Sequence, residues 1–147
     1  MIQRIRVLIL GEVESTAPDP EEEKRAITAA LLIQAALMDG QFDESEREMI
    51  ESLLIGEFQA TQTEAHQLMV DAENAVHNSS QLFGFTRKAV RHLSHQECID
   101  LIEMLWLVVF ADGELDDHEA NLMLRVAGLL NVTDRESAMA RKRARIG

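Results

Sequence analysis

Hydrophobic residues along this chain recur at spacings of three and four, in blocks separated by short polar turns. From Pro20 to about Met38 the apolar positions run nearly all round, with Ile27, Leu31, Leu32, Ile33 and Leu37 set among alanines, which predicts a buried central helix. Its start is well marked: Asp19 suits the cap, Pro20 the first helical position, and Glu21, Glu22 and Glu23 complement the positive end of the helix dipole. Further starts are signalled by Ser/Thr/Asp-x-x-Glu capping boxes at Asp43/Glu46, Thr61/Glu64, Ser94/Glu97, Asp116/Glu119 and Thr133/Glu136. After the second box Ala65, Leu68, Met69, Ala72 and Val76 form an amphipathic stripe, and a helix is expected from about Gln81 to Leu93, beyond the break at Asn78-Ser79-Ser80. From Ile99 to Ala111 the chain is again apolar on most sides; Val108 and Val109 would suit a strand, but the length and the capping box favour helix. Residues 12 to 19 read as a linker, and Val7 to Leu10 suits a strand or a docked extended arm as well as a helix.

The blocks repeat. A shift of 73 residues lays Asp39-Gly40-Gln41-Phe42-Asp43-Glu44-Ser45-Glu46 over Asp112-Gly113-Glu114-Leu115-Asp116-Asp117-His118-Glu119, and carries Leu31-Leu32-Ile33 onto Met104-Leu105-Trp106. Two copies of helix, Asp-Gly turn, helix imply an internally duplicated helical domain. The expected fold is all-α, a single compact domain of about seven helices over residues 20–147, preceded by an N-terminal segment and linker over 1–19.

Composition sharpens this picture. The apolar share of 46% is enough for a core, while 4% aromatics and 9 Gly plus Pro among 147 residues argue against a sandwich or barrel of short strands. The formal charge is −12, and because residues 135–147 carry +4, residues 1–134 carry −16. Such a body repels nucleic acid and anionic lipid and attracts cations or basic partners. One cysteine, Cys98, excludes an intrachain disulfide and a cysteine-based zinc site, so a reducing compartment fits best. The apolar run Val7-Leu8-Ile9-Leu10 is too short for a signal-peptide core, and Met104 to Ala111 is far short of the roughly 20 residues that a membrane span needs.

The Asp-Gly turns admit two readings. As architecture, Gly40 and Gly113 take the left-handed conformation that ends a helix, Phe42 and Leu115 tuck beneath it, and Asp43 and Asp116 cap the helix that follows. That leaves Asp39 and Asp112 unexplained, for an aspartate at a helix C-terminus faces the negative pole of the dipole at a cost of up to about 1 kcal/mol, offset only if it bonds the turn backbone. As chemistry, each turn gathers Asp, Asp and Glu as hard-cation ligands. Four carboxylates in 39–46 and five in 112–119 would repel one another at a shared pole unless a divalent cation or a basic partner neutralised them. An EF-hand is excluded: its loop needs Gly at the sixth position and Glu at the twelfth, where the copies offer Glu44 and Ile50, or Asp117 and Met123.

No other constellation competes. None of the five histidines follows a Glu by three residues, and no His-Glu-x-x-His helix, phosphate loop, nucleophile elbow or dinucleotide fingerprint exists. His92 and His95 read as surface residues, and Cys98 as a core thiol near the start of an apolar helix. Glu103 is nine residues from Asp112 and on the opposite helix face, which makes it a poor ligand. The basic run Arg141-Lys142-Arg143-Ala144-Arg145 reads as the complement of a helix C-terminus or of the acidic body rather than as a tether.

With the paired Asp-Gly-x-apolar-Asp-x-x-Glu turns, the stretch Leu82-Phe83-Gly84-Phe85-Thr86-Arg87, then Glu103-Met104-Leu105-Trp106 and Ala111-Asp112-Gly113-Glu114-Leu115, the sequence resembles the TerB-like tellurite-resistance family over about residues 22–145, and within it the short, stand-alone bacterial branch. The resemblance implies an all-helical cytoplasmic domain tied to tellurite and general stress response, with relatives beside J-domains in membrane-anchored co-chaperones. It also implies a divalent-metal site, which carries over here to Asp39, Asp43, Glu46, Asp112, Asp116 and Glu119. His118 inside the second turn and Gly128 in a late helix depart from the family pattern.

The expectation is a non-enzymatic module that binds a divalent cation, calcium foremost, as a sensor or scaffold. The alternative is a metal-free adaptor whose acidic pole meets a basic partner protein; neither involves nucleic acid or a membrane span, and peripheral membrane association stays open. A metal-dependent hydrolase would have only these same carboxylates to work with. The helix-turn-helix reading of the repeat is checked by Gly40→Val, which should lower the melting temperature by the equivalent of about 1–3 kcal/mol through strain at a left-handed position; an unchanged melt would overturn it.

Overall fold

Ten consecutive residues from Ile27 to Ala36 are buried, so the first helix has no face left for solvent over its middle three turns. The computed structural model describes residues 19–38, 42–78, 82–111 and 117–146, the side chains of Leu82, Phe83 and Ile146 excepted. Within them are α1 (Pro20–Met38), α2 (Glu44–Phe58), α3 (Gln62–His77), α4 (Leu82–His92), α5 (His95–Phe110), α6 (Asp117–Leu129) and α7 (Asp134–Ile146). These seven helices take in 88% of the described residues, with no strand among them: the fold is an all-α single domain. Val7 to Leu10, Asp116 and both Asp-Gly pairs lie outside the described residues.

The helix starts follow the capping signals. Asp19 Oδ1 accepts from the Glu21 N–H at 3.1 Å ahead of Pro20. Reciprocal boxes form at Asp43/Glu46, Thr61/Glu64 and Ser94/Glu97, and at Thr133/Glu136, where the two bonds are 2.9 and 3.1 Å. Each box satisfies two backbone donors that a helix otherwise leaves orphaned.

Around α1 the other helices are laid on by their apolar stripes. Its most extensive contacts are with α3 and α4, then with α2 and α5, while α5 packs chiefly on α7. Alanines 29, 30, 35 and 36, all nearly inaccessible, allow close helix approach, and Leu31, Leu32 and Ile33 fill the space between with Leu101, Ile102 and Leu105 of α5. Trp106 fastens α5 to α7: its indole N–H donates to Ser137 Oγ at 3.3 Å, and the Arg141 guanidinium lies 5.2 Å from the ring centre. Its other neighbour is Phe110, stacked at 5.8 Å. Cys98 is a buried thiol, as its place in the sequence suggests.

The duplication reaches further than a helix-turn-helix. Both halves run central helix, second helix, left-handed stop, capping box, third helix: α1–α3 in one, α5–α7 in the other. The stops are Gln59 (φ 52°) and Asn131 (φ 60°). In each case the following N–H reaches back five residues, from Ala60 to the Ile55 carbonyl at 3.2 Å and from Val132 to the Ala127 carbonyl at 2.9 Å, which closes a Schellman motif. The halves also meet through equivalent residues, for Lys24 Nζ donates to Glu97 Oε2 at 3.0 Å, 73 positions on. Gly128 falls in the last turn of α6 and is exposed, and an added Cβ there would meet nothing within 4 Å, so the missing side chain faces solvent and not the core.

Left-handed residues with side chains cost roughly 1 kcal/mol relative to glycine. Gln59→Gly and Asn131→Gly should therefore each raise the thermal midpoint, and Gln59→Val should lower it; a fall with glycine, measured by circular dichroism melts, would show that the side chains stabilise the stops.

Candidate functional site

The first acidic turn leads into α2 through a tightly bonded cap. Asp43 is exposed, and its Oδ1 accepts both the Glu46 N–H at 2.9 Å and the Ser45 hydroxyl at 2.7 Å. Those bonds, the Glu46 N–H foremost, hold the Asp43 carboxyl below its ordinary value of 3.8. In return Glu46 Oε1 accepts the Asp43 N–H at 3.3 Å.

Glu46 differs from the other capping glutamates in one respect. It is 3% exposed, and Glu119, its equivalent in the second half, is 4% exposed; they are the two buried carboxylates among the described residues. Glu64 is exposed, and Glu97 and Glu136 are part-exposed. Capping alone therefore does not require burial, and the two Asp-Gly turns are where it happens. Of the six sequence-predicted ligands the structure describes Asp43, Glu46 and Glu119; Asp39, Asp112 and Asp116 lie outside the described residues. Among the described residues no group of three or more His, Cys, Asp or Glu side chains converges on a point that would hold a metal ion.

Arg47 is the residue that sequence reasoning missed. Its guanidinium sits 4.5 Å from the centre of the Phe42 ring and grips the Glu73 carboxylate of α3 with two bonds, 2.7 and 3.3 Å. The Glu73 bond raises its pKa, against burial, which lowers it. The signal was a lone cation directly after Glu46, and the second half has Ala120 at that position, so the two turns are unequal in charge.

Acid also gathers away from the turns. On α5, Glu97 is bonded to Lys24 and Glu103 to Arg143 at 2.6 Å. The expected pairing of the basic run with the acidic body is thus met at Arg143, and Glu103 is a half-buried ion-pair partner. Glu57 of α2 is on the surface beside this strip: partial desolvation by the neighbouring helix first, then the charges of Asp100, Glu97 and Glu103, push its pKa up. Of His92 and His95, both exposed, His95 bonds Glu136 at 2.8 Å.

These shifts set the acid behaviour. Glu64 and Glu136 are held below the ordinary 4.5 first by the N–H of their caps, Thr61 and Thr133. Burial pushes Glu97 up, but the Ser94 N–H and Lys24 outweigh it, and its net shift is downward. Carboxylates with depressed folded-state values add stability above their unfolded values that is lost as pH falls through the folded ones. The thermal midpoint should begin to fall as pH drops below about 4.5, and Glu64→Gln with Glu136→Gln should flatten that fall. Glu57→Gln should act in the opposite sense, raising the midpoint at neutral pH and leaving it unchanged at low pH, where the wild-type side chain is already neutral. A pH series of melts checks all three.

The family model described as "Tellurite resistance protein TerB" matches residues 25–142. No curated protein and no solved structure matches the chain.

Proposed function

Since the chain belongs to the TerB family, we propose that it is a non-enzymatic helical module that takes up a divalent cation, calcium foremost, at its acidic turns and serves as a sensor or scaffold in tellurite and stress response. The supporting observation is the burial of Glu46 and Glu119 at equivalent places in the two halves, each one turn into the helix that follows an Asp-Gly pair. Withdrawing a carboxylate from water is costly unless strong interactions answer it. A cation would add to those interactions and relieve the repulsion among the neighbouring acids.

The donor chemistry fits. Asp43, Glu46 and Glu119 offer hard carboxylate oxygens of the kind calcium gathers about six to eight at a time, and Asp39, Asp112 and Asp116 would complete the two sets. The ion would supply charge neutralisation and a clamp between each central helix and its successor.

One observation favours a metal-free adaptor, co-chaperone-associated, whose acidic pole meets a basic partner: Asp43 Oδ1 and Glu46 Oε1 are already engaged in the cap. Melting experiments divide the readings. A cation that binds only the folded state adds about 2.7 kcal/mol at a hundredfold excess over Kd. Wild-type protein should therefore melt higher in calcium than in chelator, and Asp39→Asn with Asp112→Asn should lose most of that gain. Equal wild-type midpoints in calcium, magnesium and chelator would overturn the metal reading and leave the adaptor.

A further inference from the structure

In a chain with a net charge of −12 there is no Asp or Glu between Glu73 and Glu97, and that interval carries Arg87, Lys88 and Arg91. All three are exposed on α4. The inner side of the helix is committed to the core through Thr86 and Ala89, 2% and 0% exposed. Arg87 and Arg91, one helical turn apart, make no ion pair with any described residue, unlike Arg47 and Arg143. They line a surface cleft of about 350 Å³ between α4 and the end of α6, whose other lining residues are Thr86, Val90, Leu129 and Asn131. Val90 is 41% exposed, so the cleft joins two guanidinium groups to an apolar floor.

We infer that this cleft between α4 and the end of α6 docks a short acidic peptide segment of a partner protein, with carboxylates on Arg87 and Arg91 and an apolar side chain over Val90 and Leu129. The chemistry follows from complementarity at two scales. Guanidinium groups bind carboxylates through paired N–H donors, and their spacing on successive turns, about 5–6 Å between Cβ atoms, suits two acids on one short segment. At larger scale the remainder of the chain carries −15, so an extended polyanion such as nucleic acid or an anionic bilayer is repelled as soon as it overhangs the patch. A short acidic segment stays within it. The partner here is acidic, which makes this a docking face distinct from the acidic turns.

The test is fluorescence anisotropy with a labelled synthetic peptide of repeated Glu-Glu-Leu, in chelator so that no bridging cation at the acidic turns contributes. Wild type should bind it saturably, and Arg87→Glu/Arg91→Glu should weaken binding by at least about tenfold, the loss expected from removing charge-assisted hydrogen bonds. Lys142→Glu/Arg145→Glu makes the same charge change on α7 and should leave affinity within about twofold. Circular dichroism melts confirm folding, and Arg87→Gln/Arg91→Gln gives the readout if the charge reversal fails to fold. No saturable binding by wild type, or equal losses in both double variants, would overturn the proposal. So would tighter binding to heparin or phosphatidylserine vesicles than to the peptide. Self-association abolished by the α4 substitutions would equally overturn it, by making a second copy the occupant.

Discussion

Burial of α1 on every side is the constraint from which the remaining architecture follows. A lone helix of this length is marginal in water, and one with ten successive inaccessible residues has no amphipathic face to offer a single partner. It is stable only when α2, α3, α4 and α5 enclose it together. α1 comes to the surface at Leu37 and Met38, and Asp43, which caps α2, is exposed; there the polar residues are free to differ from what packing demands.

The halves use one backbone scheme and different side-chain fastenings. In the first, Arg47 joins the Phe42 ring to Glu73 of α3, and Arg25 at the start of α1 donates to the Phe58 carbonyl at 3.1 Å with its guanidinium 5.6 Å from that ring's centre. In the second, Trp106 is the centre, bound to Ser137, stacked on Phe110 and faced by the Arg141 guanidinium. Capping and left-handed stops are local requirements of backbone geometry and survive divergence. Fastenings depend on which volumes face each other, and a Trp in place of Ile33 demands a new set.

What was legible in the sequence was whatever is decided locally. Every described helix start predicted from a capping box is present, since Ser, Thr or Asp with Glu three residues on acts within a single turn. The end of α4 at His92 falls within one residue of the expectation. The equivalence of the two third helices escaped notice because the second copy has lost one residue, so that Thr61/Glu64 and Thr133/Glu136 stand 72 apart and a fixed shift of 73 misses them. Burial of Glu46 and Glu119 was also illegible: identical Ser/Thr/Asp-x-x-Glu signatures give surface glutamates elsewhere, and only the enclosing helices separate the cases. Arg47 shows the same limit, for Glu73 is brought to it only by the packing of α3 on α2.

The contact between Lys24 and Glu97 has a consequence for how the two halves relate as molecules. Residues made equivalent by a repeat touch each other only near the axis that relates the copies. In a homodimer of either half, that position would set lysine against lysine or glutamate against glutamate, and like charges at such a distance repel. Opposite charges there are available only to two non-identical halves. At this one position the chain thus uses the freedom of two non-identical halves, placing opposite charges where exact two-fold symmetry would allow only like ones.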